Sequence, residues 1–151
     1  MIYTSFGFKQ TEDIGKRLAL SLTKSGVTRA FIALFGEVGV GKTVFTRGFA
    51  EALGTVGIKS PTYTIVNEHQ GGSVPIYHFD FYRIEDSDDL ASIGFDDYLA
   101  REGYAIAEWC EKIPEDIPDD AIVVKISRAP DNEDARIIEI NKEISDADPG
   151  V

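Results

Sequence analysis

The sequence predicts an α/β fold of three layers: a mostly parallel sheet with antiparallel additions, covered by helices on both faces. Three observations lead there. Residues 30–35 (AFIALF) form a continuous apolar run of strand length, the pattern of a strand buried on both sides. Segments with helical spacing fall between such runs, as in a sheet whose parallel strands are joined by crossover helices. One run also leads directly into Gly36-Glu37-Val38-Gly39-Val40-Gly41-Lys42-Thr43, a glycine-rich loop that opens a helix.

The elements follow in order. After Thr11, a good N-cap, Ile14, Leu18, Ala19 and Leu22 recur at helical spacing and Gly26 offers a stop, which predicts a helix over residues 11–24. The strand at 30–35 comes next. Phe45, Phe49, Ala52 and Leu53 line one side of a helix over 42–53 that ends before Gly54. Residues 63–69 and 74–79 read as two strands joined by a hairpin at Gly71-Gly72, and the second ends at Asp80. Asp86-Ser87-Asp88-Asp89 opens a short helix, its acidic first turn suited to the positive end of the dipole, with Gly94 as stop; a helical piece over 96–100 follows. Residues 104–107 form an apolar strand ending at Glu108, and 121–127 with 136–140 make a C-terminal strand pair. The expectation is a single domain over residues 1–144 with a frayed tail at 145–151, where Pro149 and Gly150 stand among polar residues.

Composition bounds the function. An apolar fraction of 43% with 27% charged residues is that of an ordinary globular domain, and 151 residues bury one core. Twenty-six acidic against 15 basic residues give a net charge of −11, which opposes direct attraction to DNA, RNA or an anionic membrane. The lone Cys110 rules out an internal disulfide and fits a reducing compartment. Residues 1–9 lack a charged start followed by a long apolar run, and no stretch has the length to span a bilayer, so the cytoplasm is expected.

The chemistry concentrates in residues 36–43. Glycines at 36, 39 and 41 let backbone amides turn inward and approach phosphate oxygens without a Cβ clash; Lys42 adds a charge for the β and γ phosphates, Thr43 a hydroxyl for Mg²⁺, and the helix that continues through Val44 points its dipole at the same anion. Strand, loop and helix together specify a P-loop NTPase-like fold. A guanine-reading Asn-Lys-x-Asp segment is absent, which favours ATP over GTP, and the basic residues after the loop are too scattered for the arginine-bearing lid of a small nucleotide kinase, the less favoured alternative.

In open α/β sheets, ligands lie beyond the carboxyl ends of the strands, so acids that terminate apolar runs are candidates for the metal or the attacking water. Asp80 and Glu108 both qualify. Thr62, in the Ser60-Pro61-Thr62 turn, is a candidate sensor of the γ-phosphate. Trp109, beside Glu108, falls near the mouth of the site. His69 and His78 lack the spacing and the cysteine partner of a zinc site; His78 reads as a hydrogen-bonded core or supporting residue, and Cys110 as inert.

Read in order, these segments resemble the bacterial TsaE family, also called YjeE. The residues that carry the resemblance are Gly36 to Thr43, Thr46-Arg47-Gly48, Ser60-Pro61-Thr62-Tyr63-Thr64, His78-Phe79-Asp80-Phe81-Tyr82-Arg83, Leu90 with Ile93-Gly94, and Glu108-Trp109, spread over residues 11–140. Phe81 stands where leucine is usual and Cys110 where proline is common; neither change removes a polar group needed for chemistry. The resemblance implies an ATPase, slow alone and faster in a complex with TsaB and TsaD, which transfer threonylcarbamoyl to adenosine 37 of tRNA. It places Thr43 and Glu108 as Mg²⁺ ligands, Asp80 as the catalytic or switch acid, Thr62 in a nucleotide-sensing loop and Thr11 at the nucleotide, and it makes tRNA contact indirect. A rival reading of the same residues is an ATP-gated binding module whose hydrolysis is incidental.

Overall fold

Ile14, Leu18 and Leu22 fall on one stripe of a helix and all three are buried, which is why α1 (Phe8–Lys24) lies flat on the sheet. The computed structural model describes residues 1–37, 39–59, 61, 65–142 and 144. The helix starts three residues before the expected boundary. Gly7 is its N-cap, and the Thr11 hydroxyl, expected to cap, bonds Ser5 Oγ at 2.7 Å inside the first turn instead.

Seven strands form one sheet in the order β1-β7-β6-β2-β5-β4-β3, comprising β1 (Ile2–Ser5), β2 (Arg29–Phe35), β3 (Val66–His69), β4 (Ile76–Asp80), β5 (Gly103–Glu108), β6 (Ile122–Ala129) and β7 (Asn132–Ile140). The central strands β6, β2, β5 and β4 pair in parallel, and β3 and β7 add antiparallel to them. Because β1 is antiparallel to β7, it points the same way as the central four, so the mostly parallel sheet with antiparallel additions is observed. Strand β1 was not legible in the sequence: four residues, only one of them buried, are too short to show a period.

Helices α1 and α2 (Lys42–Ala52) cover one face, over Ile32, Leu34, Ile76, Ile106 and Val124. They approach so closely that a Cβ at Gly48 would overlap the Glu12 backbone, and one at Gly15 would overlap the Phe45 carbonyl oxygen. The short helices α3 (Ser87–Ser92) and α4 (Phe95–Ala100) cover the other face, over Phe31, Ala33, Tyr77 and Phe79. As expected, an acidic first turn starts α3, where the Asp86 carboxylate accepts from the Asp89 amide at 3.1 Å. The hairpin between β3 and β4 forms as the glycines suggested; residues 63 and 64 of the expected first strand, and the tail at 145–151, lie outside the described residues. Among the described residues no helix is long and apolar enough to cross a membrane.

Candidate functional site

The strand ends converge as parallel topology requires. Strand β2 runs into the glycine loop, while Asp80 and Glu108 are paired in register at the ends of β4 and β5. The Phe81 amide donates to the Glu108 carbonyl at 3.1 Å and ties the two acid-bearing ends together. Between them and the start of α2 opens a cleft of about 380 Å³, the size of a small-ligand site, whose lining includes Gly39, Gly41, Lys42, Thr43, Asp80, Glu108 and Trp109.

Gly41, the N-cap of α2, sits at φ 115°, a conformation a side chain would strain, and among the described residues no side chain caps this helix. Its first-turn amides are therefore left to an external acceptor, with the helix dipole behind them. Lys42 is only 6% exposed: its Nζ donates to the Gly36 carbonyl at 2.6 Å and lies 4.6 Å from the centre of the Trp109 ring. A buried ammonium with one carbonyl and one ring face keeps donors for an anion in the cleft.

On the other wall, Glu108 is buried and its Oε2 lies 3.1 Å from His78 Nε2, with His78 fully buried. His78 is thus a buried, hydrogen-bonded residue, as the sequence reading had it. Asp80 is half-exposed, and its Oδ1 accepts from the Tyr82 amide at 3.0 Å. Trp109 has φ 62° and is the one non-glycine residue with positive φ among the described residues, a conformation that costs about 1 to 3 kcal/mol and clusters at ligand sites. Its ring lines the cleft and packs against the Tyr82 ring, with centres 5.0 Å apart. Cys110 is buried, and burial pushes its thiol up to about 12, which keeps it protonated and inert.

Thr11 lies beneath this surface. It is 1% exposed, and a Cβ on Gly41 would touch its methyl group at 3.5 Å, so it supports the loop from behind. Val40 is likewise buried, Val44 lines the cleft, and Glu37 forms an ion pair with Arg128 at 3.2 Å. Val38 and Thr62 lie outside the described residues. Sequence reading missed the outer brace of the loop: Arg136 Nε donates to the Val40 carbonyl at 3.1 Å, from 96 residues away. No local pattern could have revealed that contact.

The donor set fits Mg²⁺. Thr43, Asp80 and Glu108 offer hydroxyl and carboxylate oxygens, and among the described residues no three His, Cys, Asp or Glu cluster together, so a metal here would draw its remaining ligands from phosphate and water.

A family model described as threonylcarbamoyl adenosine biosynthesis protein TsaE matches residues 7–138, which includes every element of this cleft. The chain belongs to the TsaE family. The tRNA threonylcarbamoyladenosine biosynthesis protein TsaE of Bacillus subtilis (strain 168) is 42% identical over 127 residues, covering 83% of this chain and 76% of that protein. Its counterpart in Haemophilus influenzae is 39% identical over 128 residues, covering 83% and 79%. The crystal structure of Bacillus subtilis YdiB superposes with a TM-score of 0.74 at 31% identity, over 93% of this chain and 83% of that one. Membership in the TsaE family agrees with the resemblance carried by the loop, the His78 to Arg83 segment and Glu108-Trp109, and the P-loop NTPase-like fold is the one observed.

Proposed function

We propose that this protein binds ATP with Mg²⁺ and hydrolyses it, slowly alone and faster in a cytoplasmic complex with TsaB and TsaD, and that hydrolysis supports repeated threonylcarbamoylation of adenosine 37 in tRNA. The observation that carries the reading is the buried Lys42 in a loop facing two strand-end carboxylates across one cleft. The loop amides and Lys42 hold the β and γ phosphates and offset the charge that grows on them in the transition state. Thr43 and Glu108 would hold Mg²⁺, which when bound supplies further compensation of that charge. Asp80 orients the attacking water, and His78 fixes the Glu108 carboxylate through their 3.1 Å contact. Thr11 serves the nucleotide from behind the loop, through Gly41.

The curated relatives carry the pathway in their names, which supports placing this chain in it. The net charge of −11 supports contact with tRNA through the partners, not directly. The test is steady-state ATP hydrolysis by the chain alone and with TsaB, TsaD and tRNA. A slow basal rate raised by the complete mixture is expected, and no stimulation under any combination contradicts the proposal.

A further inference from the structure

We propose that His69 is a positioning residue for the Glu108 carboxylate and acts through His78: a hydrogen bond joining His69 Nε2 and His78 Nδ1, direct or through one buried water, fixes which ring nitrogen of His78 holds its proton. This rests on the reading of Glu108 as a Mg²⁺ ligand and gives a role to a side chain that the phosphate chemistry leaves unused.

The three side chains step across three neighbouring strands on one face of the sheet. Asn67 of β3 is paired with His78 of β4, so His69, two residues further along β3, shares the face of His78. His78 is in turn paired with Ile106 of β5, and Glu108, two residues beyond, shares that face too. Diagonal neighbours across a strand pair lie about 7 to 8 Å apart, which two imidazole rings span directly or with one water between them.

The hydrogen bonds around His78 leave one nitrogen to account for. An ionised carboxylate can only accept, so the 3.1 Å contact of His78 Nε2 with Glu108 Oε2 puts the proton on Nε2 and leaves a lone pair on Nδ1. That Nδ1 is buried and has no partner among the described residues, and the same is true of His69 Nε2. Buried polar atoms left unpaired destabilise a fold, and two of them on adjacent strands relieve each other. Burial, and secondarily the nearness of His78, holds the His69 imidazole below its ordinary value, so at neutral pH the ring is uncharged and meets His78 without repulsion. Fixing the His78 tautomer keeps its Nε2–H aimed at Glu108, as an outer partner orients a metal ligand.

The test is NMR of the ring nitrogens in the wild-type chain, His69→Phe and His69→Gln, together with the Mg²⁺ concentration that half-saturates hydrolysis by each in the complex with TsaB, TsaD and tRNA. Wild-type His78 should be protonated at Nε2 with a hydrogen-bonded Nδ1. His69→Phe fills the same space without a nitrogen; it should move the His78 Nδ1 signal toward that of a free lone pair and raise the Mg²⁺ requirement about tenfold, with little change in the rate at saturating Mg²⁺. His69→Gln, which keeps an N–H donor, should restore both. His78 protonated at Nδ1 in the wild type, or a signal that His69→Phe leaves in place, overturns the hydrogen bond; a moved signal with an unmoved Mg²⁺ requirement overturns the positioning role. If the wild type shows no Mg²⁺-dependent hydrolysis, the functional reading fails and the positioning role with it, whatever the ring signals show.

Discussion

The two faces of the sheet are filled on opposite principles. Under α3 and α4 lies an aromatic cluster in which Phe95 meets Phe31 at 5.8 Å and both Phe79 and Phe81 at 5.7 Å, while Tyr98 meets Phe79 at 5.4 Å. Under α1 and α2, a core that is mostly aliphatic, with Phe45, Phe49 and Tyr104 among it, is interrupted by Ser5, Thr11, Lys42, Thr46, His78 and Glu108, all buried. Among the described residues every buried polar or charged side chain belongs to α1, α2, the turn after α2, or strand positions on that side. Burying such groups costs stability unless they are paired, so this protein has one face filled almost wholly by apolar packing and one that carries its buried polar groups.

The sharpest way to break that comparison is a cut in each face. Phe79→Ala, deep in the aromatic cluster, should destabilise the fold by about 3 to 5 kcal/mol in urea unfolding and leave the ATP affinity of the folded fraction unchanged. Asp80→Asn should do the reverse, lowering partner-stimulated hydrolysis about 100-fold with little change in the melting temperature, because Asp80 is half-exposed. Equal effects on both readouts from either variant would erase the division. Arg136→Gln removes the brace on the Val40 carbonyl and should weaken ATP about tenfold by calorimetry.

The smallest effect is one of pH. Burial, and secondarily the neighbouring His78, holds the His69 imidazole below its ordinary value. The folded state therefore binds fewer protons there than the unfolded chain, and this contribution to stability is present above about pH 6.5 and lost as pH falls through the lowered folded value. The urea midpoint of His69→Gln should accordingly fall less than that of the wild type between pH 7.5 and pH 5.5.

Legibility divides along the same line as chemistry. The strand-loop-helix placement of the glycine loop and the strand-end positions of Asp80 and Glu108 could be read because each depends on local order, a glycine pattern or an acid that ends an apolar run. Helix α1 was found but misplaced at its start, because Thr11 has the composition of a cap and spends its hydroxyl on Ser5. The Lys42 contact with Trp109, the Arg136 brace and the exposure of Phe8 to the cleft could not be read, since each depends on strands and helices brought together from distant parts of the chain.

The central claim is that the cleft at the strand ends is a nucleotide-phosphate site organised by Lys42. Calorimetric titration of ATP with Mg²⁺ into the wild type and Lys42→Ala tests it most directly. The account predicts saturable one-to-one binding by the wild type, weakened at least about 100-fold in the variant, as expected for loss of a buried charge contact. Equal affinity in two equally stable proteins would contradict it.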